Sequence, residues 1–267
     1  MATKRGKRRL KKEVLLALIT ITALLMFIFT NVIKVVSHSD VTDNKNGTVT
    51  TASNKRGDKN PSIKKTDKKS ENAIPEKYVI VIDPAFGGEY AGSKGVNGIL
   101  QKDVNLGVAL KVKKTLERYD DIDVYLTRED DTTTPYEKRI DFIKSVGADI
   151  VVSIQQNTEG TKTAQGVETY VLSKTDYPES ESSLGYSIQK AMTMYSTTKD
   201  RGVMARNTDI LKDSYKHGAV GALVYTGFIT NESESKKLTT DSYIEKLGEG
   251  IAQGILSYVD KKKAANE

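Results

Sequence analysis

Hydrophobic residues fall along this chain in three regimes. From Val14 to Ile33 the chain reads VLLALITITALLMFIFTNVI, which carries no charged residue. As a helix, a stretch of that length spans roughly 30 Å, the hydrocarbon thickness of a bilayer. From 37 to 75 large apolar residues are scarce, and Ser, Thr, Asn, Asp and Lys show neither a helical nor a strand period. Such a segment buries too little surface to offset its ordering entropy. It predicts a flexible linker averaging roughly 35 Å end to end. From 76 onward, short apolar runs alternate with amphipathic stretches.

The runs in this third region predict strands over Tyr78–Ile82, Ile122–Leu126, Asp149–Gln155, Gly166–Leu172 and Ala219–Tyr225, with a weaker one near Asp209–Leu211. Tyr-Val-Ile-Val-Ile at 78–82 is continuous rather than alternating, as suits a strand buried on both faces. Between the runs, Val104, Leu106, Ala109, Leu110, Val112 and Leu116 recur at helical spacing behind Asp103, read as a helix cap. Further helices are expected from Pro135 to about Val146, over about 181–195 and over 243–259. The alternation predicts an α/β fold: a single domain with a mostly parallel sheet flanked by helices on both faces. In such sheets ligands bind at the carboxyl ends of the strands, here just after Ile82, Leu126, Ile154 and Val224.

Charge changes the picture at one end only. The chain has 267 residues and a net charge of +6, and the bases of residues 1–13 less Glu13 account for all of it. The pI of about 9.1 therefore describes a tail rather than a basic face, and nucleic acid is excluded as a partner. A basic cluster ahead of a long apolar run predicts a signal anchor with a cytoplasmic N-terminus. The alternative, a cleaved signal peptide, calls for a small-x-small site, whereas the exit reads Lys34-Val35-Val36-Ser37. The expected organisation is a basic tail over 1–13, a transmembrane anchor over 14–36, a linker over 37–75, the α/β domain over 76–262 and a short tail over 263–267. The protein is expected in the cell membrane, single-pass, with its domain outside the cytoplasm. The lack of cysteine excludes disulfides, thiolate metal sites and cysteine nucleophiles. His38 and His217 are the two histidines, so a two-histidine metal site cannot form within the domain.

Several motifs sit at or near the strand ends. They are Val-Ile-Asp-Pro-Ala-Phe-Gly-Gly at 81–88, Gly-Ile-Leu-Gln-Lys-Asp-Val-Asn-Leu at 98–106 and Leu-Thr-Arg-Glu-Asp-Asp at 126–131. Ala148-Asp149 with Ser-Ile-Gln-Gln-Asn at 153–157, Gly-Val-Glu-Thr-Tyr at 166–170 and Val-Tyr-Thr-Gly-Phe-Ile-Thr-Asn at 224–231 follow. In this order the chain resembles the zinc-dependent N-acetylmuramoyl-L-alanine amidases, the type-3 cell-wall amidase family. The resemblance implies a site in which two His and one Glu hold Zn²⁺, and the metal activates water against the amide between the lactyl group of the sugar and L-alanine. A further Glu acts as general base and acid.

Carried over residue by residue, the first His ligand falls on Phe86, the Glu ligand on Gln101, the second His ligand on Gln155 and the catalytic Glu on Tyr225. Phe offers no lone pair, a Gln amide is a poor zinc ligand, and a phenol with pKa near 10 is no base at neutral pH. The resemblance with these four departures implies a degenerate member with no metal, no cofactor and no catalytic residue, hence not an enzyme. Phe86 and Tyr225 are expected to pack edge to face where zinc would lie, with ring centroids within about 7 Å. Gln101 and Gln155 are expected to hydrogen-bond each other or nearby backbone.

Asn157 is the candidate ligand contact, and Arg128 a candidate contact for a substrate carboxylate. Asp83 and Asp103 are read as structural, Arg128 and Arg139 as ion-pair partners, and His217 as part of a surface turn. Glu89 lies near the same site, and Ser153 and Thr226 have no base in view. The function expected is a membrane-anchored domain that binds peptidoglycan or a protein partner of the wall machinery. The alternatives are an assembly scaffold that does not bind glycan, and an active amidase with a rebuilt site.

Overall fold

A computed structural model of the chain describes residues 76–173 and 179–265, those of 179–182 by backbone alone. The tail, anchor and linker expected before residue 76 lie outside the described residues. Among the described residues, no helix is long and apolar enough to cross a membrane.

The described residues form β1 (Tyr78–Pro84), β2 (Ile122–Leu126), β3 (Ile150–Asn157), β4 (Val167–Val171), β5 (Asp200–Ala205) and β6 (Val220–Phe228). Interspersed are α1 (Gln101–Leu116), α2 (Tyr136–Val146), α3 (Glu179–Ser196), α4 (Asp209–Lys216), α5 (Glu232–Lys237) and α6 (Asp241–Ala264). The strands make one sheet in the order β2-β1-β3-β6-β4-β5. Strands β1, β2, β3 and β6 are parallel, β4 runs antiparallel to β6, and β5 runs parallel to β4. The sheet is therefore mixed but mostly parallel, as expected, with the β4–β6 pairing its one antiparallel junction among the described strands. The connection 158–166 between β3 and β4 holds no helix, and a parallel return needs a crossover of a dozen or more residues.

Both faces of the sheet are covered. Ile80, Ile82, Ile154 and Val224 point to the side packed by α1, α3 and α6. Val81, Val151 and Leu223 point to the side packed by α2 and α4. The continuous apolar run in β1 follows from this, because Ile80, Val81 and Ile82 are all fully buried on opposite faces. Helix α6 lies so close to α3 that a Cβ on Gly254 would stand 2.3 Å from the Ile188 Cα. Glycine there lets the two helix backbones touch.

Two local expectations are corrected. The segment expected as a weak strand near 209–211 is helical in α4, where Ile210, Leu211 and Ser214 are buried. The edge strand is instead β5, Asp-Arg-Gly-Val-Met-Ala, in which no residue is fully buried. Helix α1 starts at Gln101 after Leu100, which makes no side-chain cap, so Asp103 lies in the first turn and does not cap the helix.

Candidate functional site

The carboxyl edge of β1, β2, β3 and β6 collects the motif residues, and a buried ion pair organises it. Asp83, near the end of β1, is wholly buried and accepts hydrogen bonds from Thr127 Oγ1 at 2.7 Å and Ser153 Oγ at 2.8 Å. Its remaining capacity goes to Arg139 of α2, with Nη1 at 2.7 and 2.9 Å. One carboxylate thus joins β1, β2, β3 and α2.

Arg128 is not an ion-pair partner. Its guanidinium is buried and donates to main-chain carbonyls: Nε to Pro84 and Phe86, Nη1 to Asp130, and Nη2 to Ala85 and Lys102. Burial pushes its pKa down, with Asp131 and Asp83 pulling the other way. Arg128 therefore ties together the loops that follow β1 and β2, and each of its nitrogens is engaged within the protein.

Phe86 follows in a left-handed conformation, φ 67°. With Tyr90, Thr134, Pro135, Tyr136, Glu137 and Arg139 it lines an open cleft of about 340 Å³. Its expected partner is elsewhere. Tyr225 of β6 meets Tyr170 of β4 instead, edge to face, with centroids 5.4 Å apart and planes at 85°. The reversed β4 causes this, since its register places Glu168 opposite Tyr225 and Tyr170 on the same face beside it. Burial pushes the Tyr225 phenol up, against the opposing pull of Arg206.

Gln101 is buried and fully engaged. Its Oε1 accepts from the Ser93 N–H at 2.7 Å, and its Nε2 donates to the Gln156 carbonyl. It bonds backbone, and its two amide contacts do not involve the Gln155 side chain. Gln155 is half-buried and lies opposite Tyr225 in the β3–β6 register. Asn157 donates to the Glu168 carboxylate and accepts from the Thr158 N–H at 2.8 Å. His217 is exposed at the C-cap of α4, and Glu89 is exposed in the loop after β1.

Two groups escaped the sequence reading. On the α1 side of the sheet, Gln156 Nε2 donates to Asn105 Oδ1 at 2.9 Å and Thr226 Oγ1 at 3.0 Å, and Asn105 Nδ2 donates to the Ala85 carbonyl at 2.7 Å. On the other side, the buried Glu168 accepts from Tyr170 Oη at 3.0 Å and Arg201 Nε at 2.8 Å. The Arg201 guanidinium lies 4.8 Å from the Phe228 ring, and that of Arg206 lies 4.6 Å from the Tyr170 ring. Glu168 stood within a quoted motif, but nothing in its spacing revealed its partners.

The zinc implied by the resemblance can be tested against these side chains. Phe86 offers no donor atom, the Gln101 acceptor already holds the Ser93 N–H, and burial keeps the Tyr225 phenol protonated. Among the described residues, no three His, Cys, Asp or Glu side chains gather closely enough to hold a metal ion. The residues present at these positions do not fit the zinc set.

Comparison with known proteins bears on identity. The family profile described as N-acetylmuramoyl-L-alanine amidase matches residues 80–257. The chain is 34% identical over 187 residues to the uncharacterized protein YqiI of Bacillus subtilis (strain 168), covering 70% of this chain and 87% of YqiI. It is 36% identical over 180 residues to the N-acetylmuramoyl-L-alanine amidase LytC of the same organism, covering 67% of this chain and 35% of LytC. The chain thus spans about a third of LytC. Among solved structures, the N-acetylmuramoyl-L-alanine amidase from Clostridium difficile 630 superposes with a TM-score of 0.65 at 33% identity, covering 70% of this chain and 98% of that one. The expectation of a non-enzyme is overturned by these findings, because the family and the relatives with an assigned activity are amidases. With its α/β sheet and its ordered motifs, the chain belongs to the N-acetylmuramoyl-L-alanine amidase family, which ties it to the peptidoglycan of the cell wall.

Proposed function

We propose that this chain acts on peptidoglycan and that its target is the amide joining the lactyl group of the sugar to L-alanine. The observation that carries the reading is the family match over residues 80–257, which takes in the carboxyl edge of the sheet and the cleft beside Phe86 and Arg139. The likeness to named amidases favours hydrolysis over binding alone. Because the four side chains at the family's ligand and base positions do not fit zinc, hydrolysis here runs on a rebuilt site. The polar side chains that line the cleft are Tyr90, Thr134, Tyr136, Glu137 and Arg139.

Location supports the same reading. The apolar run 14–33 behind a basic cluster would hold the domain on the outer side of a membrane, where wall polymer lies. The test is incubation of the full chain with purified peptidoglycan, followed by analysis of soluble products. Released stem peptides beginning with L-alanine are expected. Peptidoglycan left uncut would overturn the proposal.

A further inference from the structure

We infer that Arg206, stacked on the Tyr170 ring that packs against Tyr225, is a carboxylate-binding residue, placed to hold a free carboxylate of the peptide stem. The inference rests on the proposal that peptidoglycan is the target, and it adds which part of that polymer the chain reads.

Two arginines, Arg201 in β5 and Arg206 just after it, meet neighbouring side chains of β4, and they are used differently. Arg201 is bound to Glu168 at 2.8 Å, and Glu168 is saturated by Arg201, Asn157 and Tyr170. Arg206 is exposed, and among the described residues it forms no ion pair with a carboxylate. Its guanidinium lies over the Tyr170 ring at 4.6 Å. Stacking fixes the plane of the fork, one N–H meets the Tyr225 phenol, and the guanidinium carries further N–H groups beyond that one.

The backbone beneath is held as well. Arg206 N–H donates to the Val171 carbonyl at 2.8 Å, and the Arg206 carbonyl accepts from the Thr208 N–H at 3.0 Å. A ligand at Arg206 therefore meets a donor whose position is largely set beforehand, which lowers the entropy lost on binding.

The surroundings select for an anion. Tyr170 packs edge to face on Tyr225, and Tyr225 lies opposite Gln155 in the sheet register. The phenol and the amide are neutral groups that can donate, and the Glu168 carboxylate beside Tyr170 is already fully engaged. A planar guanidinium matches a carboxylate through two parallel N–H···O bonds. The peptide stem carries such carboxylates close to the amide that the proposed reaction would cut. A phosphate from an anionic wall polymer shares part of this chemistry and serves as a competitor in the test.

The experiment titrates the full chain with a muramoyl dipeptide bearing free carboxylates and with its carboxamide counterpart. Calorimetry is run on the wild type, Arg206→Gln and Arg206→Lys, each first checked for an unchanged melting curve. The wild type is expected to prefer the carboxylate form by about tenfold, the size of one charge-assisted hydrogen bond. Arg206→Gln is expected to lose that preference and keep the affinity for the carboxamide. Arg206→Lys keeps the charge without the fork and should retain part of the preference.

Equal binding of the two ligands by the wild type overturns the inference and leaves the target intact. A preference that survives in Arg206→Gln does the same, as does displacement by glycerol phosphate more readily than by acetate. Binding of neither ligand overturns the inference together with the proposed target. Should Arg206→Gln fail to fold, the wild-type comparison of the two ligands still decides.

Discussion

Asp83 carries more of this site than any other single residue. It is a fully buried carboxylate whose acceptor capacity is met by Arg139, Thr127 and Ser153. Removing one partner of a buried pair leaves the other charge uncompensated, so Asp83→Ala should lower unfolding free energy by about 3–5 kcal/mol. Urea denaturation checks this, and a loss below about 1 kcal/mol would mean that Arg139 finds water when its partner goes.

Glu234 gives a test in pH. It is buried and accepts the N–H groups of Gly166 and Phe228, each at 2.7 Å. Burial nevertheless pushes its carboxyl above the ordinary value of 4.5, with those two N–H groups pulling down. The folded state then holds the proton more tightly than the unfolded one. The contribution is fully present below pH 4.5 and is lost as pH rises through the raised value. The stability of the wild type minus that of Glu234→Gln should therefore fall with rising pH above 4.5, and a difference that rises with pH would contradict this.

The same scale shows what single residues reveal in advance. Asp83 and Arg139 read correctly as structural residues, because an acid at a buried strand end needs a partner. Arg128 did not, because an arginine at a strand end looks the same whether it faces a substrate or the carbonyls of its own loops. Gln101 was legible as a residue needing two partners, but which backbone groups supply them depends on how the loop at 91–93 returns to α1.

At the scale of elements, the strands with strong apolar runs were legible and the direction of β4 was not. Burial on both faces dictates the composition of β1 and β3, whereas β4 is equally apolar whichever way it runs. Its reversal decides that Tyr225 meets Tyr170 rather than Phe86. Strand β5 was invisible because an edge strand has one neighbour and little burial, and the Ile210-Leu211 pair beside it carried a stronger signal.

Helix packing makes a sharper prediction. Gly254→Ala would push a methyl group to 2.3 Å from the Ile188 Cα, so α3 and α6 must separate. Thermal unfolding should report a loss of about 1–3 kcal/mol, the range for overpacking a close contact. An unchanged midpoint would mean that the two helices slide apart at no cost.

For the whole molecule, the sequence placed an α/β domain after a basic tail, an apolar run and a polar linker. The described residues realise that domain with a mixed sheet. The topology of the intact protein can be read chemically because the chain has no cysteine of its own. In membranes from intact cells, Ser53→Cys should react with an impermeant maleimide and Ala2→Cys should not. The reverse pattern, or reaction at both positions, would contradict a cytoplasmic N-terminus. Family membership was legible because motif words survive at the strand ends. Activity was not legible from the same words, because the four positions that would carry the metal and the base hold Phe86, Gln101, Gln155 and Tyr225, and the comparisons favour an enzyme all the same.

The most direct measurement is the count of new L-alanine amino groups released when the purified full chain is incubated with intact peptidoglycan. Heat-inactivated protein serves as the blank, and the assay is run with and without a zinc chelator. The account predicts release above the blank that the chelator does not abolish, since the cleft side chains do not fit zinc. Release that vanishes with the chelator and returns with zinc would contradict the rebuilt site, and no release from any peptidoglycan would contradict the proposed action on the wall.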